Sequence, residues 1–435
     1  MGSKTWSAGS VYFAGNGEEM KIKTKRSSYD EVMALPHPEH KKPCKPSKLL
    51  AKVMNIAGAG DLKQVGFSYK KRNMERAGEG PWLILMNHSS FLDLEIVSKI
   101  MYPKTYSIIC TSDGFVGKEG LMRHLGCIPT QKFVTDVSLI ADISHALKVN
   151  KTSVLMYPEA SYSFDGTTTP LPRHLGVLLK RMKVPVVMIT TYGSFARDPL
   201  YNNLQKRDVK VSAVMECLLT PEEIKAKTID ELDEVLDRAF DLDYFKWQEE
   251  NNVVIDEPFR ADGLNRILFR CAHCNTEGRM EGKGTVLRCK ACGKEYELDE
   301  LGRLHAKDGE TEFSHIPDWY AWERQCVKDD IEAGRYSLDT DVEIGLMVDF
   351  KAIYMVGEGH LHHDAKGFVL NGCDGKLHYE QGPKACYSCY SDYYWYEIGD
   401  IICIGNKECL YYCFPKEGDV VAKTRIAVEE IFKNA

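Results

Sequence analysis

The sequence predicts an α/β domain with a mainly parallel sheet, a small cysteine-bearing insert, and a β-rich C-terminal domain that ends in a helix. Between about residues 80 and 215, apolar strand-like runs alternate with helical patterns. That alternation is typical of parallel strands joined by crossover helices. The last hundred residues instead contain short β-type runs with Gly-rich turns and then the helical run TRIAVEEIFK.

Length and composition limit the class of protein. The chain has 435 residues, whereas single cores usually stop growing near about 250 to 300 residues, so several domains are expected. The net charge of −7 argues against a nucleic-acid-binding protein. No run approaches the roughly 18 apolar residues of a spanning helix, and the start has no apolar secretion segment. We therefore expect a cytoplasmic protein.

The first predicted elements are a lead-in and a basic helix. Residues 1–45 are rich in Gly, Ser, Lys and Pro and predict an extended segment. From Ser47 a helical pattern begins, with an apolar stripe of Leu49, Val53 and Ile56 and neighbouring basic residues Lys45, Lys48 and Lys52. Such a helix could rest on an anionic membrane surface or pack against the core. The sequence leaves both alternatives open.

Residues 46–260 form the predicted α/β domain. Its strand-like runs are PWLILMN, YSIICTS, SVLMYP, VPVVMITTY and VKVSAVME. Two capping boxes, Thr220 to Glu223 and Thr228 to Glu231, open helices that carry the chain to about Asn251. These helices are expected to close the domain.

A histidine and an aspartate follow the first of these strands. His88 and Asp93 lie five residues apart, and in a regular helix their side chains would point about 140° apart. A contacting pair must therefore span a strand-to-helix turn, with Asp93 orienting the imidazole as a general base. The base would take a proton from a hydroxyl as it attacks a thioester. Ser89 and Ser90 could be nucleophiles, but capping of the following helix is the favoured interpretation.

Four ordered blocks between about residues 80 and 190 resemble the 1-acylglycerol-3-phosphate acyltransferase family. They are Asn87-His88 with Asp93, the run from Gly126 to Lys132, Tyr157-Pro158-Glu159-Ala160-Ser161, and Val184-Pro185-Val186-Val187. The resemblance implies transfer of a fatty acyl group from acyl-CoA or acyl carrier protein to a lysophospholipid hydroxyl, with lysophosphatidic acid as the family's acceptor. It implies catalysis by His88 and Asp93.

The resemblance also implies substrate-binding residues, some of them altered. Asn87, Glu159 and Ser161 match the family's blocks. The family's two phosphate-holding arginines are replaced by Lys132 and Tyr162, and lysine lacks the bidentate fork of arginine. Arg173 and His174 are candidates to supply charge, with ordinary surface residues as the alternative. Ala160 replaces a glycine.

Residues 261–305 contain a predicted zinc ribbon. Cys271-x2-Cys274 and Cys289-x2-Cys292 have the spacing of a structural Zn²⁺ site with four thiolates. His273 could compete as a ligand. Other candidates are weaker: Cys386 and Cys389 favour core positions, and the cluster from His360 to Asp364 favours a turn over metal binding.

Residues 306–435 weakly resemble a pleckstrin-homology-like or GRAM-like domain, which implies lipid or partner binding, with oligomerisation or stabilisation as the alternative. Two functions follow for the whole chain. One is an acyltransferase peripherally bound to the inner membrane face. The other is an inactive lipid-binding or scaffold protein on an acyltransferase fold.

Overall fold

The computed structural model describes residues 22–134, 136–416 and 418–435. Much of the predicted lead-in lies outside these residues. Its described part contains strand β1 (Thr24–Arg26) and helix α1 (Tyr29–Met33). Ser28 begins α1 with a capping box that includes Glu31.

A seven-stranded sheet and its helices follow in the chain. The helices are α2 (Lys48–Ala57), α3 (Ala59–Gln64), α4 (Asp93–Met101), α5 (Glu119–Leu125), α6 (Val137–Lys148), α7 (Leu175–Met182), α8 (Ser194–Arg197), α9 (Pro221–Ala226), α10 (Ile229–Ala239) and α11 (Tyr244–Glu250). The strands are β2 (Ser68–Arg72), β3 (Leu83–Met86), β4 (Tyr106–Thr111), β5 (Cys127–Thr130), β6 (Ser153–Met156), β7 (Val186–Tyr192) and β8 (Ser212–Leu219). Both predicted capping boxes are present, at the starts of α9 and α10.

The order of this sheet is β2-β8-β7-β3-β6-β4-β5. The five strands from β7 to β5 are parallel. However, β8 is antiparallel to β7, and β2 is parallel to β8. The sheet is therefore mixed: the β7–β8 pair is antiparallel, and the other pairs are parallel, in agreement with a mainly parallel sheet. Burial alternates along β8, a pattern common in antiparallel strands with one buried face.

A small antiparallel sheet forms the cysteine-bearing insert. Its strands are β9 (Met280–Lys283), β10 (Val286–Cys289), β11 (Glu295–Leu298) and β12 (Leu304–Ala306), in the order β12-β11-β10-β9. Helix α12 (Ile316–Glu332) follows. The insert and α12 share one apolar core with the C-terminal domain, so the three segments pack as a unit.

The C-terminal domain is an antiparallel sheet closed by a helix. Its strands are β13 (Leu338–Met347), β14 (Ile353–Asp364), β15 (Gly367–Gly372), β16 (Leu377–Gln381), β17 (Tyr390–Trp395), β18 (Gly399–Gly405) and β19 (Leu410–Pro415), followed by helix α13 (Val421–Asn434). The order is β16-β15-β14-β13-β19-β18-β17, and β1 adds a parallel strand to β14. Two meanders thus meet between β13 and β19.

Helix α2 leaves its apolar stripe uncovered. Leu49 is 70% exposed, Val53 45% and Ile56 62%. The structure therefore does not bury this stripe in the core, which was one of the two alternatives left by the sequence. Among the described residues, no helix combines the length and the apolar character needed to cross a membrane.

Candidate active site

His88 and Asp93 meet at the turn between β3 and α4. The Nδ1 atom of His88 lies 2.9 Å from Oδ2 of Asp93. The same oxygen accepts the backbone N–H groups of Ser89 at 3.0 Å and Ser90 at 3.3 Å. Because three groups converge on one oxygen, Nδ1–H is the donor and the imidazole is fixed in one tautomer. The predicted contact across a strand-to-helix turn is present.

The Asn87 side chain, which directly precedes His88, stabilises the turn through contacts with β7 and α11. The Asn87 side chain accepts the N–H of Thr191 at 2.8 Å, donates to the Thr191 hydroxyl at 2.9 Å, and contacts the Tyr244 hydroxyl. Asn87 is buried. Its amide therefore joins β3 to β7 and α11 behind the turn.

The hydroxyl groups of the two serines after His88 form hydrogen bonds with residues in and just after α8. The Ser90 hydroxyl donates to Asp198 at 2.7 Å, and the Ser89 hydroxyl lies 2.9 Å from that of Ser194. The N-cap residue of α4 is Leu92, with no side-chain capping bond. The expected serine cap is therefore corrected: Ser90 Oγ accepts the N–H of Leu92, which precedes the first helical turn.

The imidazole of His88 lies between two tyrosine rings. The ring centroids of Tyr157 and Tyr162 are 4.1 and 3.9 Å from that of His88. Burial, and next the positive charge of Lys132, hold the pKa of His88 well below its usual value. Burial raises the pKa of Asp93, and the hydrogen bonds from the backbone N–H groups of Ser89 and Ser90 offset part of that rise. His88 is therefore neutral near pH 7 and free to accept a proton.

Glu159 connects the histidine turn to the third sequence block. Its Oε1 accepts the backbone N–H of His88 at 3.0 Å, and its Oε2 accepts that of Thr169 at 3.1 Å. Burial raises the pKa of Glu159 to about 7. The next residue, Ala160, has a φ of +53°, in the left-handed region that glycine adopts at low cost. The side chain of Glu159 thus stabilises the turn by binding the backbone N–H of His88, whereas Asp93 contacts the imidazole itself.

A cavity of about 650 Å³ opens beside His88. Lys132 and Tyr162 line it from the α/β domain, and Tyr390 and Asp392 line it from β17. Its apolar lining includes Met54, Leu94, Ile108 and Met122. The ammonium of Lys132 lies 4.3 Å from the centroid of the Tyr390 ring. The site is therefore shared between the α/β domain and the C-terminal domain.

Arg425 of α13 is a residue that the sequence analysis missed. Its guanidinium donates to Ser161 Oγ at 2.7 Å, to the Ser391 carbonyl at 2.6 Å and to the Tyr162 carbonyl at 3.3 Å, and lies against Phe164 at 3.4 Å. Arg425 is buried. The signal for it in the sequence was an arginine among Val421, Ala422 and Val428 of the terminal helix.

Arg173 is not brought to the cavity. Its side chain is 78% exposed and lies 3.6 Å from Asp237, and it is absent from the cavity lining. The neighbouring His174 donates its backbone N–H to Asp233. Arg173 and His174 therefore lie at the surface, which was the alternative to a role in binding the substrate.

The four predicted ligand cysteines converge. Their sulfur atoms lie within 4.8 Å of one another, the one such group of candidate ligands in the described part of the chain. Cys271 and Cys292 are 3.8 Å apart, and Cys274 and Cys289 are 3.7 Å apart. These separations match the edge of a tetrahedron, about 3.8 Å, around an ion with metal–sulfur bonds of about 2.3 Å. The group could hold a metal ion.

The other candidate ligands have different partners. His273 lies 2.9 Å from Glu312, and His363 is buried against the Tyr336 hydroxyl at 2.9 Å. His360 and His362 pair with Asp339 on β13. The run from residue 360 to residue 364 lies in strand β14, which corrects the expected turn. Cys389 is buried, in agreement with a core position.

Comparisons with known proteins assign the α/β domain. Residues 68–192 match a family model described as Acyltransferase. The human protein 1-acyl-sn-glycerol-3-phosphate acyltransferase beta is 27% identical over 145 residues, which are 32% of this chain and 51% of that protein. The chain thus spans about half the length of this curated relative.

A solved structure shows a slight likeness. It is the 1-acyl-sn-glycerophosphate (LPA) acyltransferase PlsC from Thermotoga maritima, with a TM-score of 0.33 and 14% identity over 44% of this chain and 79% of that one. The family match covers the strand, the turn and the third block that contain His88, Asp93 and Glu159. Over residues 68–192, the chain is therefore similar to the acyltransferases that this family model describes.

Proposed function

We propose that the protein transfers a fatty acyl group from acyl-CoA or acyl carrier protein to a glycerol hydroxyl of a lysophospholipid. Lysophosphatidic acid, giving phosphatidic acid, is the acceptor that the name of the human relative indicates. The observation that carries the proposal is the 2.9 Å contact of His88 with Asp93 on the cavity wall, within the residues that match the family model.

In the proposed reaction, Nε2 of His88 takes the proton of the acceptor hydroxyl as its oxygen attacks the thioester carbonyl carbon. Asp93 stabilises the imidazolium that forms. The tetrahedral intermediate then collapses, the carbon–sulfur bond breaks, and the imidazolium returns the proton to the leaving thiolate. The products are the acylated lipid and the free thiol, and no nucleophile from the protein is needed.

The apolar and polar parts of the cavity lining have different proposed roles. The apolar lining that includes Met54 and Met122 would hold the acyl chain, because it presents aliphatic and thioether groups to the interior. The polar lining that includes His88 and Lys132 would hold the glycerol and its headgroup.

Helix α2 is the proposed membrane contact. Its exposed apolar stripe lies beside Lys45, Lys48 and Lys52, the composition of a helix that lies in an anionic membrane interface. Ala51 and Met54 of the same helix line the cavity. A protein bound at the cytoplasmic face through α2 would therefore place its cavity next to the lipid.

The four-cysteine group is a proposed structural Zn²⁺ site. All four positions of a tetrahedral shell would be filled by Cys271, Cys274, Cys289 and Cys292, which leaves no open position for chemistry. The ion would stabilise the fold of the insert.

The test is acyl transfer from labelled acyl-CoA and acyl carrier protein to a panel of lysophospholipids. We expect His88→Ala to lower kcat by about 10²- to 10⁴-fold, the usual contribution of a positioned general base. His378→Ala, an exposed histidine of β16, is the matched control. Equal rates for the wild type and His88→Ala would reject the proposed mechanism.

The second candidate is a catalytically inactive lipid-binding protein. The observation that favours it is Tyr162, which replaces an arginine and stacks on the imidazole of His88. This candidate predicts vesicle binding without lipid product from any donor, in protein that is folded and loaded with zinc.

A further inference from the structure

The geometry points to an acceptor with an ammonium-bearing headgroup, a zwitterionic lysophospholipid, with Asp392 of the C-terminal domain as the residue that selects it. The inference rests on the proposed acyl transfer and changes the headgroup that the family resemblance implies. It depends on four features of the residues that line the cavity or lie close to it.

The first feature is the absence of a guanidinium from the described cavity lining. Its cations are Lys104, Lys132 and Lys384. Lys104 is paired with Glu79 at 2.9 Å, and Lys384 is exposed. Lys132 is thus the cation that faces the space beside His88, where its charge acts on the imidazole.

The second feature is Arg425, which is close in space but already engaged. Four of its hydrogen bonds go to Ser161, Tyr162 and Ser391, and its face lies on Phe164. It is outside the cavity lining. Its guanidinium therefore joins the third block to β17 and does not present a phosphate-binding fork to the acceptor.

The third feature is a carboxylate with an unused oxygen. Asp392 is 9% exposed and lines the cavity. Its Oδ1 accepts the Tyr393 N–H at 3.0 Å, whereas Oδ2 has no hydrogen bond or ion pair with any described residue. Burial raises the pKa of Asp392 to about 6, and the positive charges of Lys132 and Arg425 offset only part of that rise. A cation on the ligand, next to Oδ2, would further stabilise the ionised carboxylate.

The fourth feature is a set of aromatic side chains in the same cavity lining as this carboxylate. Tyr390, Tyr393 and Trp395 of β17 all line the cavity. The ring of Tyr390 already has an ammonium over it, that of Lys132, and its hydroxyl donates to Asp113 at 2.6 Å. Aromatic rings are the groups that recognise ammonium and quaternary ammonium ligands.

Charge balance favours the same acceptor. The described lining contains Asp113, Asp392 and the Asp93 that pairs with His88, beside the single facing cation Lys132. A phosphate monoester would add up to two negative charges to a partly buried site where these acids already outnumber the facing base. A phosphodiester with an ammonium group adds no net charge: its phosphate can face Lys132 and its ammonium Asp392.

The experiment compares 1-acyl lysophosphatidylcholine with lysophosphatidic acid of the same chain, in neutral detergent micelles. Both turnover and equilibrium binding of the ether-linked analogues are measured. We expect wild-type kcat/KM and affinity to favour the choline lipid at least about tenfold, roughly the effect of one desolvated contact of a quaternary ammonium with a carboxylate or an aromatic ring. Asp392→Asn should lose this preference, and Asp392→Glu should keep most of it. Asp374→Asn, in an exposed turn, is the control.

The outcomes separate this inference from the proposed function. Choline-selective binding that Asp392→Asn abolishes, with no turnover, would support the headgroup site and reject the enzyme. Turnover that favours lysophosphatidic acid, or a choline preference that survives Asp392→Asn, would overturn the headgroup site and leave the acyl transfer standing.

Discussion

Burial and one neighbouring charge set the protonation state of His88, the proposed base. Burial is the main cause of its lowered pKa, and Lys132 adds to it. Glu159 and Asp93 are both hydrogen-bonded to the same turn, so the turn is held between two carboxyl groups whose own pKa values burial raises. A neutral histidine here is ready to accept a proton at neutral pH.

The first prediction concerns the pH dependence of kcat/KM. Activity requires neutral His88, so it falls as the pH drops through the pKa of His88, and this acid limb should lie below pH 6.5. Removal of the positive charge in Lys132→Met should raise the pKa of His88 and move the limb to higher pH. The measurement is a kcat/KM profile, with the exposed Lys366→Met as control; an unmoved limb would contradict the assigned role of Lys132.

The second prediction concerns Arg425 as a positioning residue. Arg425→Lys keeps the charge but loses the fork that joins Ser161 to Ser391. We expect kcat to fall about tenfold or more while KM for the acyl donor changes little, because the substitution displaces the third block and leaves the apolar cavity lining in place. Arg425→Ala should also unfold at lower temperature, since buried acceptors lose their donors at about 1 to 3 kcal/mol each.

Arg335→Lys is the control for this substitution, because its guanidinium is exposed and pairs with Asp330. A proportional loss of folded protein and activity in Arg425→Lys, with kcat per folded molecule unchanged, would show a purely structural role.

Residue-scale prediction from sequence succeeded where the chemistry is local. His88 and Asp93 are five residues apart, so a turn was enough to predict their contact, and the four cysteines are grouped within 22 positions. Arg425 and Ser161 are 264 residues apart. No pattern in a single sequence indicates that such distant residues meet, because that contact depends on how the two domains pack.

At the scale of elements, the periodicity of α2 predicted an amphipathic helix but not which way its stripe faces. The same stripe suits a core or a membrane, and the structure leaves it exposed. Strand β8 shows a similar limit. Its apolar residues predicted a strand, but its direction depends on the connection after β7, which contains only short helices and returns the chain antiparallel to β7.

The third prediction tests α2 as a membrane contact. Replacement of Leu49, Val53 and Ile56 by Ser removes three apolar side chains, each worth up to about 1.5 to 3 kcal/mol on full burial. We expect binding to anionic vesicles to fall at least about a hundredfold in a sedimentation assay, with helical content unchanged because the stripe is exposed. Val177→Ser, an exposed residue of α7, is the control; undiminished vesicle binding would exclude α2 as the contact.

At the scale of the whole molecule, the cysteine-bearing insert connects the two larger domains. Arg270, next to Cys271, pairs with Glu277 and with Asp330 of α12, the latter at 2.8 Å. Glu277 in turn pairs with Lys423 of α13 at 2.6 Å. This chain of ion pairs ends two residues before Arg425. We infer that the order of the insert is coupled, through α13, to Arg425 and its contact with the third block.

The fourth prediction follows from this coupling. The purified protein should contain about one zinc per chain, and its removal by a chelator should lower both the thermal midpoint and acyl transfer. Cys271→Ser should do the same, whereas Cys44→Ser, an exposed thiol outside the group, should not. Full activity in metal-free protein would show that the insert does not support the site.

The sequence by itself determined most of the elements, the histidine–aspartate turn and the cysteine group, because each depends on periodicity or spacing within a short stretch of chain. The tertiary structure decided the direction of β8, the exposure of α2, the places of Asp392 and Tyr390 in the cavity wall, and the contact of Arg425 with the third block. These features depend on long-range packing between domains. Residues that are far apart in the chain bury one another there, and this burial together with neighbouring charges determines their protonation states.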